Sequence, residues 1–101
     1  MAELFIYDEI GPGEFGLISD KYVVSELDRF GGEDVSVRIN SPGGDAFMGM
    51  SICNALSRYP GTVSVEIDAL AASSASIIAM AGDTINIAEN AMMMIHVIFR
   101  Y

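Results

Sequence analysis

Apolar and polar positions change period several times along the chain, and each change marks an element. Residues 3–7 (ELFIY) form a short β-prone run that predicts a first strand, and IGPGEFG at 10–16, with three glycines and a proline, predicts a loop. Ser19 is then placed to cap a helix from about Asp20 to Phe30, with Tyr22, Val23, Leu27 and Phe30 at helical spacing. Asp20 suits the positive end of that helix's dipole, and Gly31 and Gly32 end it. DVSVRIN at 34–40 alternates Val35, Val37 and Ile39 against Ser36, Arg38 and Asn40, which is the period of a strand. SPGGD at 41–45 breaks it. A second helix is expected from about Ala46 to Tyr59, with an apolar stripe of Met48, Ile52, Ala55, Leu56 and Tyr59, stopped by Pro60 and Gly61. TVSVEIDAL at 62–70 predicts another strand, and a short helix from about Ala72 through AMAG at 79–82 follows it. Gly82 and Asp83 turn the chain into TINIA (84–88) and MMMIHVIF (92–99), two further strands.

Strands and helices alternating in this order predict an α/β class, with strand–helix units of similar layout at 34–59 and 62–81. The 101 residues suffice for one domain, 1–101, and not for two. Composition agrees: 51% of the residues are hydrophobic and 19% charged, as a packed core requires. With 14 acidic against 5 basic residues, a net charge of −9 disfavours nucleic acid and anionic membrane surfaces as partners. Cys53 is the only cysteine, so neither an intrachain disulfide nor a cysteine zinc site can form. MAELFIYDEI lacks the pattern of a signal peptide, and no apolar run approaches the roughly 20 residues of a membrane span. A cytoplasmic protein is expected. The apolar run MMMIHVIFRY at the end implies either a strand buried by a neighbouring subunit or a chain shortened relative to a longer parent.

Three features carry possible chemistry. In NSPGGD (40–45), glycines let backbone N–H groups turn inward where a strand feeds a helix, as an anion or oxyanion site requires; an ordinary Gly-rich turn reads the same way. No Lys follows the glycines and the GxxxxGK[ST] pattern is absent, which argues against a phosphate-cradling P-loop. Ser73 falls at or just inside the first turn of the predicted third helix, where a serine can be a nucleophile or merely a small packing residue. Ser74 and Ser76 lie deeper, where serines bond back to carbonyls or permit close packing. His96 is the only histidine, and reads either as a hydrogen-bonded core residue or as a base for a serine hydroxyl. One histidine among scattered carboxylates gives no metal-ligand spacing, and no cofactor motif is present.

Together, a glycine loop, a serine at a helix start and a later histidine on a strand are the parts of a serine hydrolase. INSPGGDAFMGMSICNAL, DALAASSASIIAMAGD and ENAMMMIH closely resemble the proteolytic subunit of Clp protease, especially its phage or prophage head-maturation relatives. The resemblance runs from about Val35 to His96, with the motifs in the family's order. It implies a crotonase-like α/β fold of stacked ββα units, peptide-bond hydrolysis through an acyl-enzyme, and ring-shaped homo-oligomers. It also implies peptide or unfolded-protein substrates and an ATP-dependent unfoldase partner. Carried over by motif, the nucleophile is Ser73, after Ala71 and Ala72, and the general base is His96. The oxyanion donors are the N–H groups of Gly44 and Ser74.

The resemblance is incomplete at the C-terminus. The family's triad Asp lies well downstream of the histidine, and here five residues follow His96. The expectation is therefore a shortened chain with weak or no activity, since loss of the orienting charge costs a serine protease about 10⁴ in kcat. Asp68, close in sequence to Ser73, is the nearest candidate substitute. Two other readings stand beside the peptidase: a non-catalytic assembly module of the same fold, and a crotonase-type acyl-CoA enzyme that stabilises a thioester enolate in a comparable oxyanion hole.

Overall fold

The structure, a computed structural model, describes residues 1–95. Its strands form one sheet in which every pair is parallel: β1 (Ala2–Ile6), β2 (Val35–Ser41), β3 (Val63–Ala72), β4 (Thr84–Ile87) and β5 (Met92–Met94). The order is β1-β2-β3-β4, and β5 pairs with the last three residues of β3, beyond the stretch that pairs with β4. Among the described residues, three α-helices and a short 3-10 turn at Gly13–Phe15 connect the strands: α1 (Asp20–Phe30), α2 (Ala46–Ser57) and α3 (Ser74–Ala79). None of the described helices is long and apolar enough to cross a membrane.

Register explains the core. Leu4 and Ile6 of β1 pair with Val37 and Ile39 of β2, which pair in turn with Val65 and Ile67 of β3. All six are buried on one sheet face, against Val23, Leu27, Ile52, Leu56, Ala75 and Ile78 of the helices. On the opposite face, Phe5, Arg38 and Glu66 lie side by side across the same three strands. Ser19 caps α1 as its sequence position predicts, its hydroxyl accepting the Tyr22 N–H at 3.1 Å, and Gly31 ends the helix at φ 62°.

Three expectations shift, and one edge strand stays exposed. Within α1, Val23 and Leu27 carry the buried seam, while Tyr22 turns outward and Phe30 is only half-buried. Helix α2 stops at Ser57 rather than Tyr59, so Tyr59 leaves the helix and packs on the core edge. Ile85 and Ile87 sit in register with the core residues Val65 and Ile67 yet stay exposed, because β4 lies at the sheet edge past the helices. Strand β3 runs two residues further than the pattern suggests, and α3 starts at Ser74, two residues later than expected. Ladder pairing causes this last change: Leu70, Ala71 and Ala72 pair with Met92, Met93 and Met94, and the Ser73 N–H donates to the Met94 carbonyl at 2.9 Å.

Candidate active site

The glycine loop is built from the end of β2. Between Ile39 and Ser41 the register with β3 slips, so that Ile39 pairs with Ile67 but Ser41 with Ala71. This brings the loop after Ser41 level with the end of β3. Asp45 then caps α2, accepting the Met48 N–H at 2.9 Å. Gly43 and Gly44 adopt φ values of 97° and 147°, conformations that suit a residue without a Cβ.

The loop is held from three sides. The Ile10 N–H donates to the Gly43 carbonyl at 2.8 Å, and the Asp45 N–H donates to the Ile10 carbonyl at 3.0 Å. The Gly43 N–H donates to Ser41 Oγ at 3.1 Å, and Ser41 Oγ donates to the Asp8 carbonyl at 2.7 Å. Because a trans peptide sets C=O and N–H on opposite sides, tying the Gly43 carbonyl to Ile10 turns the Gly44 N–H the other way.

Ser73 occupies the sharp junction between β3 and α3, at φ 55° and ψ −124°. Among the described residues it is the only non-glycine with positive φ. For an L-residue such a backbone costs about 1–3 kcal/mol and persists only where its surroundings impose it. Here they do: the Ser73 N–H is bonded to Met94, and its carbonyl accepts from the Ser76 N–H at 2.9 Å and from Ser76 Oγ at 2.5 Å. Ser74, the first helical residue, has an N–H with no partner inside the helix.

The two pieces touch. A Cβ added to Gly43 would lie 2.8 Å from Ser73 Cβ and 3.1 Å from Ser74 N. Gly49 of α2 presses equally hard on α3, where an added Cβ would meet Ser74 Cβ at 2.7 Å. The structure thus brings Ser73, Ser74 and the Gly43–Gly44 loop together. Ser73 stands at the N-cap of α3, directly before its first helical residue. His96 lies outside the described residues.

Asp68 is committed elsewhere. Arg38 grips it with Nη2 at 2.7 Å and Nε at 3.0 Å, and the Tyr7 hydroxyl donates to the same carboxylate. Burial opposes ionisation of Asp68, but the bonds from Tyr7 and Arg38 outweigh it and hold the carboxyl below its ordinary range. The hydrogen bond to Asp68, with burial second, raises the Tyr7 hydroxyl.

Sequence reasoning missed Ile10, Ser41 and Gly49. A buried isoleucine ahead of a Gly-Pro-Gly loop is a signal of sorts for Ile10; the other two have none, since their roles exist only across elements distant in sequence. A cavity of about 340 Å³ lined by Val24, Leu27, Ala55 and Arg58 lies between the C-terminal ends of α1 and α2 and contains no residue of the serine–glycine cluster.

A sequence model described as Clp protease matches residues 4–98. The chain belongs to the Clp protease family. Solved structures of Clp proteases share its fold. A mutant of ClpP1 from Listeria monocytogenes is 24% identical with a TM-score of 0.76, over 93% of this chain and 55% of that one. ClpP1 from the same organism is 24% identical with a TM-score of 0.69, over 79% and 46%. The ClpP catalytic domain from Plasmodium falciparum is 25% identical with a TM-score of 0.75, over 93% and 54%. The chain thus spans about half the length of these solved Clp proteases. A comparison with curated proteins finds no match. As a Clp protease family member, the chain falls within a serine peptidase family.

Proposed function

We propose that this chain carries the core of a serine endopeptidase site, with Ser73 as nucleophile, His96 as general base, and the N–H groups of Gly44 and Ser74 as oxyanion donors. The observation that carries this reading is the backbone of Ser73: a non-glycine held at φ 55° at a strand–helix junction, pressed against a glycine loop. Strain of this kind presents a hydroxyl at the head of a short helix, beside the Gly44 and Ser74 N–H groups, which have no backbone partner among the described residues. His96 stands two residues after Met94 in the sequence, and Met94 is bonded to Ser73.

In this mechanism Ser73 Oγ attacks the scissile carbonyl carbon while His96 takes the hydroxyl proton. Gly44 and Ser74 stabilise the resulting oxyanion. Collapse breaks the C–N bond, and His96 returns its proton to the leaving amine. Water, deprotonated by His96, then hydrolyses the Ser73 ester and releases the acid. Asp68 is not the orienting carboxylate, because both its oxygens serve Arg38 and Tyr7. A shared oxyanion geometry would also serve an acyl-CoA enzyme, but family membership favours the peptidase.

The proposed substrates are peptides or unfolded chains, and the proposed working form is a homo-oligomer. Exposed Ile85, Ile87, Met92 and Ile95 along the β4–β5 edge support a self-associating protein. A fluorophosphonate probe tests the nucleophile: the wild type takes the label and Ser73→Ala does not, whereas label retained by Ser73→Ala removes the assignment.

A further inference from the structure

We infer that Ser41 is a positioning residue for the oxyanion loop, an inference that rests on the peptidase reading of the same site. Ser41 ends β2 and is fully buried at 0% exposure. Its hydroxyl is used twice, donating to the Asp8 carbonyl at 2.7 Å and accepting the Gly43 N–H at 3.1 Å. Serine is the smallest side chain that donates and accepts at once. One atom therefore ties three pieces of chain: the segment after β1, the end of β2 and the glycine loop.

The consequence falls on Gly44. Gly43 is flanked by two peptide planes, and each is fixed by one bond: its N–H by Ser41 Oγ, its carbonyl by the Ile10 N–H. Together the two bonds set the Gly43 dihedrals, with φ at 97°. A glycine freed of one anchor has several backbone wells to visit. When Gly43 turns, the plane carrying the Gly44 N–H turns with it, and the donor leaves the line on which it meets an oxyanion. Ser41 touches neither substrate nor reacting atoms; it acts through Gly43.

Removal of the hydroxyl leaves the buried Gly43 N–H without its partner, while the Asp8 carbonyl belongs to an exposed residue that water can reach. Transition-state stabilisation should suffer more than binding, because the oxyanion exists only after attack. Misplacing a reacting or stabilising group by about 1 Å costs on the order of 10²-fold.

The test uses the full chain in four forms: wild type, Ser41→Ala, Ser41→Thr, and Ser36→Ala as a buried serine on the same strand away from the loop. Fluorophosphonate labelling of each folded protein is resolved into a limiting rate and a half-saturating concentration. Ser41→Ala lowers the limiting rate about 10- to 100-fold and leaves half-saturation within about twofold. Ser41→Thr, which keeps the hydroxyl, recovers most of the rate, and Ser36→Ala keeps it all. A Ser41→Ala limiting rate equal to wild type, or a loss matched by Ser36→Ala, overturns the inference. Should Ser41→Ala fail to fold, Ser41→Cys, similar in volume but a weak hydrogen-bonding group, replaces it with the same expected loss. Amide exchange at Gly43 separates this inference from the peptidase reading. Wild type that takes no label removes the peptidase reading, while Gly43 protection unchanged in Ser41→Ala removes the role of Ser41 in either case.

Discussion

Gly43 and Ser73 lie so close that no side chain fits between them: a Cβ on Gly43 would stand 2.8 Å from Ser73 Cβ and 2.5 Å from the Ala72 carbonyl oxygen. The neighbouring atoms are backbone as well as side chain, so the conflict cannot be relieved by a rotamer change. Gly43→Ala also places an L-residue at φ 97°. Conformational strain and the clash together cost about 2 kcal/mol or more. Urea unfolding should show a lower midpoint, and the folded fraction should lose fluorophosphonate labelling. A variant with wild-type midpoint and labelling would mean that the loop does not press on Ser73.

Ser73 carries strain that glycine would not. Ser73→Gly is expected to stabilise the fold by about 1 kcal/mol, since glycine accepts φ 55° at little cost, whereas Ser73→Ala keeps the strain and gives no such gain. Both variants lack the hydroxyl and take no probe. Denaturant midpoints for the pair separate backbone strain from side-chain loss. Equal midpoints would show that the positive φ is not a source of strain.

Ser74 Oγ is buried and has no hydrogen-bond partner among the described residues. Leaving such a group unpaired costs about 1–3 kcal/mol relative to an apolar replacement. Ser74→Ala should therefore be neutral to stabilising, by up to about 1 kcal/mol in thermal or urea unfolding. Its labelling rate should stay near wild type, because the backbone N–H is retained. A marked loss of stability would reveal a partner for the hydroxyl.

The Tyr7–Asp68–Arg38 cluster predicts a specific acid limb. Asp68 titrates below its ordinary value of 3.8 in the folded protein, so the native state binds its proton less readily than the unfolded chain does. The stability it contributes is fully present above that ordinary value and is lost as pH falls through the lowered native value. Asp68→Asn should be less stable than wild type at neutral pH, and the two unfolding curves should converge below about pH 4. A constant gap from neutral to acid pH would show that the carboxylate's charge plays no part. Tyr7 adds the mirror effect in alkali: its raised value adds stability below its ordinary 10.0, lost as pH climbs through the native value.

How far the chain could be read without its fold depends on how local each signal is. The Ser19 cap, the alternation of Val35, Val37 and Ile39, and the Gly31 stop act within one turn or one strand, so sequence alone determined α1, β2 and the strand–helix order. The three motifs also pointed to Ser73, Ser74 and Gly44, because their residue types and order survive as a linear pattern. Tertiary structure decided the rest. The extra length of β3 and the late start of α3 come from pairing with Met92–Met94, some twenty residues on, which no local propensity encodes. The anchoring of the glycine loop by Ile10 and by the Ser41–Asp8 bond, and the capture of Asp68 by Arg38 and Tyr7, join residues 30 to 61 positions apart. In the proposed site, the motifs name the atoms that would meet a substrate. The strain and hydrogen bonds that aim those atoms arise only when distant segments close on one another.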